Sequence, residues 1–233
     1  MEVVAAIETR RPIRETPLQR LGRELRKFLE ALLRVALLSG LLIPILLAAF
    51  LTLDLPYRGF DHFFTMGPVK PGNWLSLGYF LMAAGAPLIV LIARRFGGEE
   101  ASRVVTASWA AAAFAAFAGV SYLSPVLEDG DMPSTAFIVA FVGSSILSQF
   151  IAGGVYDLTR GGGKWWRAPF FALLSAYLAQ TFLYFPIAYW TSVAPWMNWM
   201  VEDVALKSLL ILVFLGIYRI LMKSLRPRGG YGG

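Results

Sequence analysis

The chain has 233 residues, 57% of them hydrophobic and only 15% charged, against roughly a quarter charged in soluble domains. Its mean hydropathy of +0.61 overrides the one or two soluble domains that length alone implies. The formal charge of +6 lies in short basic clusters beside apolar runs, which suits an anionic lipid surface and argues against nucleic acid, and the lack of cysteine excludes disulfides, thiolate catalysis and iron–sulfur clusters.

Residues 1–15 read as flexible. Thr16, Pro17 and Gln19 make a helix start, with a capping-box pattern and proline at the first helical position. Leu18, Leu21, Leu25, Phe28, Leu29 and Leu32 then follow one helical face, opposite Arg20, Arg23, Arg26 and Lys27. The pattern predicts an amphipathic helix lying on the cytoplasmic leaflet; a solvated extension of the first span is the alternative. More than thirty residues of mixed charge precede the first long apolar run, so a cleavable signal peptide is not expected.

Crossing a bilayer takes about 20 apolar residues, and only helices or closed barrels satisfy the backbone there. The apolar runs lack strand-like alternation, so they predict helices over residues 35–53, 73–93, 104–124, 134–156, 168–189 and 201–222. Pro44 marks a kink in the first, and Gly85 with Pro87 threaten to break the second midway. Small residues in the third and fourth (110–113, Gly143, Ser144, Gly153, Gly154) predict close helix approach. The class is thus all-α and polytopic, in three parts: an extension over 1–33, a six-helix membrane domain over 34–222, and a flexible tail over 223–233.

Lys and Arg counts in the connections set the orientation. Arg10, Arg11, Arg14, Arg20, Arg23, Arg26, Lys27 and Arg34 precede the first span. Arg94, Arg95 and Arg103 follow the second; Arg160, Lys164 and Arg167 follow the fourth; Arg219, Lys223, Arg226 and Arg228 close the chain. The other side holds Arg58 and Lys70 with the acidic Glu128, Asp129 and Asp131. Both termini are therefore expected in the cytoplasm, in a bacterial inner membrane.

No soluble-enzyme motif is present, and the chain is not expected to be an enzyme or to hold a cofactor or metal. Gly161, Gly162, Gly163 and Lys164 lack the spacing and the following Ser or Thr of a phosphate loop, and read as a basic turn. His62, the sole histidine, reads as a loop residue beside Asp61; Asp54 and Asp61 need further partners to hold a cation. Polarity inside the spans is more informative. Lys207 lies about two turns into the sixth helix, Gln149 in the fourth and Gln180 in the fifth, with Ser144, Ser145, Ser148, Ser175 and Thr181 available on interior faces. Ser145 and Gln149, four apart, share a helix face. Such groups either grip a polar planar molecule or tie helices together, with Lys207 snorkelling outward in the second case.

Residues 148–151 (Ser-Gln-Phe-Ile), Val155-Tyr156-Asp157 with Arg160, 164–169 (Lys-Trp-Trp-Arg-Ala-Pro) and Ile187-Ala188-Tyr189 follow one another in an order that resembles the vitamin uptake transporter family, whose characterised members import queuosine precursors. Lys207 resembles a lysine early in that family's last helix, and residues 94–97 with Ala101, Arg103, Val104 and Val105 resemble the turn after its second. The resemblance covers about residues 74–222. It implies a secondary transporter of a 7-deazaguanine-type precursor or similar heterocycle, with Gln149, Gln180, Lys207, Ser145 and Ser148 binding the substrate. Three carboxylates usual in the family are replaced here by Val90, Ala152 and Gln180, and the asparagine of its first helix has no counterpart. Those departures motivate a second expectation: a non-transporting subunit or assembly factor that reuses the fold, with membrane proteins or a second copy as partners beside the lipid.

Overall fold

A computed structural model describes residues 16–64, 66–126, 134–161 and 163–227. Residues 1–15 and 228–233, which cover the first flexible stretch and most of the expected tail, the acidic cluster Glu128, Asp129 and Asp131, and Gly162 lie outside the described residues. The chain divides into two units, Met1–Arg34 and Val35–Gly233.

In the first unit the capping box forms as expected. Gln19 N donates to Thr16 Oγ1 at 3.3 Å, and Thr16 N donates to Gln19 Oε1 at 3.1 Å, satisfying two donors at the start of α1 (Pro17–Leu51). Arg26 reaches Glu30 at 2.9 Å and Lys27 reaches Glu24 at 3.3 Å along the polar face. Leu18, Leu21, Leu25 and Phe28 are exposed, leaving the apolar face uncovered by protein.

The second unit contains the rest of α1, then α2 (Leu77–Ala83), α3 (Gly85–Phe96), α4 (Gly98–Leu123), α5 (Thr135–Thr159), α6 (Arg167–Tyr189) and α7 (Trp196–Leu221). With α2 and α3 taken as one span, six helices among the described residues are long and apolar enough to cross a membrane. Large apolar side chains such as Leu37, Phe117, Phe182, Leu212 and Ile220 are exposed along them. In water such surface would be an aggregation liability; in a bilayer it is the solvated face. The chain is accordingly a multi-pass membrane protein.

The predicted weakness in the second span is a real interruption at Ala84. Pro87 has no N–H to give the Ala83 carbonyl four residues earlier, and Tyr177 Oη of α6 donates to that carbonyl at 2.8 Å instead. Before the break, a Cβ at Gly78 would lie 2.1 Å from the Ala49 carbonyl oxygen, so α1 and α2 touch backbone to backbone. After it, α3 joins α4 across Gly97 alone, whose φ of +89° favours glycine. Asp157 at the end of α5 caps the new helix, accepting from Gly98 N at 3.0 Å.

Helices α5 and α6 form the most extensive packing, with α3 and α7 beside them. Small residues serve this packing selectively. Gly153 meets Ile89 and Ala101, but a Cβ at Gly143 or Gly154 would meet nothing within 4 Å. Of residues 110–113 only Ala112 is buried. The expected close approach through that alanine run is therefore corrected: the second half of α4 faces outward.

Between α1 and α2 the described residues 52–64 and 66–76 form short 3-10 turns at one end of the bundle. Asp61 accepts from Gly72 N at 2.7 Å and so ties the loop together. Among the described residues no group of three or more potential metal ligands occurs. The loop is fastened to α7 by Trp74 Nε1 donating to Glu202 at 3.0 Å and Trp199 Nε1 donating to the Pro68 carbonyl at 3.0 Å.

Candidate functional site: a buried polar network at the broken helix

Every residue singled out for the site is buried: Ser145, Ser148, Gln149, Gln180 and Lys207. They fall into two groups around the α2–α3 break.

The first group surrounds Lys207. Its ammonium has three donors and all are engaged: Asp203 Oδ2 at 2.7 Å, Tyr79 Oη at 2.8 Å and Thr181 Oγ1 at 3.0 Å. Tyr79 and Thr181 each donate a hydroxyl hydrogen bond to the same Asp203 oxygen, Tyr79 at 3.0 Å and Thr181 at closer range. The rings of Tyr79 and Tyr177 lie 4.8 and 5.8 Å from the ammonium. A positive charge inside a bilayer is expensive, and here Asp203 one turn away neutralises it. The lysine does not snorkel. The cavity that reaches it, between α6 and α7, measures about 10 Å³, space for about one water.

The second group holds the glutamines. Gln149 Oε1 accepts from Trp109 Nε1 of α4 at 2.9 Å, and Gln180 Nε2 donates to Ser145 Oγ at 3.2 Å. Since Ser145 and Gln149 are one turn apart on α5, the two amides are neighbours through that turn. Gly85, just past the break, leaves room for Gln149: a Cβ there would lie 2.5 Å from Nε2. Gln180 and Thr181 are consecutive, so α6 links the two groups.

Three buried polar atoms of this network lack a hydrogen-bond partner among the described residues: Gln149 Nε2, Gln180 Oε1 and Asp203 Oδ1. They are one donor and two acceptors, each desolvated at a cost of about 1–3 kcal/mol. Ser148 is buried beside them, whereas Ser175 bonds back to its own helix at Phe171 and Ala172.

On the side of the 52–76 loop the network is closed by aromatic rings. Tyr79 packs on Tyr184 at 4.6 Å between centroids, Trp74 on Phe185 at 5.6 Å, and Tyr189 on Trp199 at 5.5 Å. A 190 Å³ cavity lined by Asp54, Asn73, Trp74, Tyr184 and Tyr189 lies against these rings.

Asp203 and Tyr79 were missed by sequence reasoning. Asp203 had a legible signal, an acid four residues before Lys207 on one helix face. Tyr79 had none, since its bond to Lys207 joins residues 128 apart. The acid-bearing positions noted from the family resemblance hold buried Val90, Ala152 and Gln180, and the interior carboxylate comes from α7 instead. No family model, curated protein or solved structure matches the chain.

Proposed function

We propose that the chain is a secondary transporter for a small, polar, planar heterocycle, which binds where α2 and α3 part. The three unsatisfied polar atoms carry this reading. A ring edge that offers an acceptor to Gln149 Nε2 and a donor to Gln180 Oε1 supplies what the empty network lacks. Interrupted helices at the midplane serve this purpose in many transporters, because irregular backbone is tolerated in lipid only beside a cavity or buried in protein. Lys207 neutralises Asp203, leaving Asp203 Oδ1 as a second acceptor beside Gln180 Oε1. The aromatic layer of Trp74, Tyr79 and Tyr184 acts as the gate on the loop side, and access requires it to part.

The resemblance to the vitamin uptake transporters makes 7-deazaguanine-type queuosine precursors the first substrates to test. The basic connections favour an orientation with both termini in the cytoplasm of a bacterium, and the basic and leucine faces of Thr16–Arg34 favour contact with the inner leaflet. Radiolabelled uptake in cells lacking their own importer tests the assignment. Gln149→Ala and the paired variant Asp203→Leu with Lys207→Met are each expected to abolish uptake with the protein still present in the membrane; normal uptake in both discards the site.

A second reading is favoured by one observation: the 10 Å³ cavity at Lys207 and the full use of its donors also suit a network that only ties helices together. Under that reading the chain is an accessory or assembly subunit, and gentle detergent extraction yields a stoichiometric larger complex. A lone particle that takes up the heterocycle decides for transport.

A further inference from the structure

The opposite end of the bundle carries a separate cavity, of about 390 Å³, where α3, α5 and α7 end and α6 begins. That volume lies within the range of roughly 300–1,000 Å³ typical of small-ligand sites. Three cations line it, Arg94, Arg160 and Lys164, with Tyr156, Tyr218 and Trp165 as the aromatic wall and no carboxylate among the described lining residues.

Part of this positive charge has a structural use. Arg94 donates to Tyr218 Oη at 2.7 Å and to the Met222 carbonyl at 3.1 Å, as expected of a cation at helix C-termini. Tyr218 in turn bonds Tyr156 at 2.8 Å, and Arg160 pairs with Asp157 at 3.3 Å. Arg94 keeps one donor in reserve: its Nε is buried with no partner among the described residues. Rigidly held arginines beside a lysine are the usual recognition chemistry for phosphate oxygens. Trp165 of the lining stands partly exposed, as does the next residue, Trp166, the placement of tryptophan at headgroup level.

We propose that this cavity binds a phosphate ester, held by Arg94, Arg160 and Lys164. Two sources share that chemistry: the headgroup of an anionic phospholipid and a soluble phosphorylated metabolite. The proposal is independent of the transport reading, since it uses neither glutamine nor Lys207.

The full-length protein, delipidated in mild detergent, is titrated with phosphatidylglycerol, phosphatidylcholine or glycerol 3-phosphate, and bound ligand is counted by native mass spectrometry. One phosphatidylglycerol per chain that glycerol 3-phosphate fails to displace identifies a lipid site; displacement identifies a soluble phosphoester site. Both outcomes support the proposal. Lys164→Ala, on an exposed turn where folding is not at stake, is expected to weaken binding about fivefold, the loss of one cation beside an anionic headgroup. Lys70→Ala, at the other end of the bundle, is the control for net charge and leaves binding unchanged. Equal binding of phosphatidylcholine, no binding of either phosphate ester, or equal losses in the two lysine variants overturns the proposal.

Discussion

Asp203 and Lys207 show how a charge is tolerated in a place that excludes water. The pair sits one turn apart on α7, and two hydroxyls, from Tyr79 and Thr181, connect acid and base. Such pairs add little net stability, but removing one member leaves the other buried and unpaired, at about 3–5 kcal/mol. Asp203→Ala alone should therefore lower the unfolding temperature in detergent sharply. The double variant Asp203→Leu with Lys207→Met should regain much of that loss while still failing to take up substrate. A double variant as unstable as the single one would show that the pair supplies packing rather than charge neutrality. Of this cluster, Lys207 was legible in the sequence because an ammonium inside an apolar run stands out by composition. Tyr79 was not, because an aromatic residue in a span is ordinary.

The element that matters most is the broken second span. Its sequence, with glycine and proline close together, announces the break but not what mends it. Pro87 removes the N–H due to the Ala83 carbonyl, and Tyr177 Oη, from a helix 94 residues further on, takes its place. Tyr177→Phe is expected to cost about 1–3 kcal/mol by orphaning that carbonyl. Pro87→Ala restores the local donor, so in its background Tyr177→Phe should cost much less. Thermal unfolding of the four proteins in the cycle measures the difference, and simple additivity would refute the compensation. The rest of α2–α3 follows the same logic of close contact: Gly78 lets α1 approach before the break, and Gly85 leaves space for the Gln149 amide after it.

At the scale of the molecule, the bundle has two chemically different ends. One carries the 52–76 loop, fastened to α7 by Trp74 and Trp199; the other carries the basic cavity of Arg94, Arg160 and Lys164. The proposed orientation turns the first end outward and the second inward, on the strength of the charge in the connections. The natural absence of cysteine makes this simple to measure. Ser192→Cys should react with a membrane-impermeant thiol reagent in intact cells, and Lys223→Cys only after permeabilisation. The reverse pattern would invert the orientation and move the aromatic gate to the cytoplasmic side.

The six spans and their apolar exteriors were determined by the sequence alone, because partition into lipid depends on local composition over about 20 residues. The capping box at Thr16 and the break near Pro87 were equally local, and equally legible. Which polar groups meet inside was decided only by the tertiary structure. Gln149 with Trp109, Gln180 with Ser145 and Lys207 with Tyr79 are 40, 35 and 128 residues apart in the chain. Helix association in lipid is governed by packing and shape rather than by the hydrophobic effect, so apolar patterning alone does not select the partners. Two amides and a lysine were recognisable as interior groups. That the interior also held an acid to balance the lysine, and left one donor and two acceptors unsatisfied, became visible only once the helices were assembled.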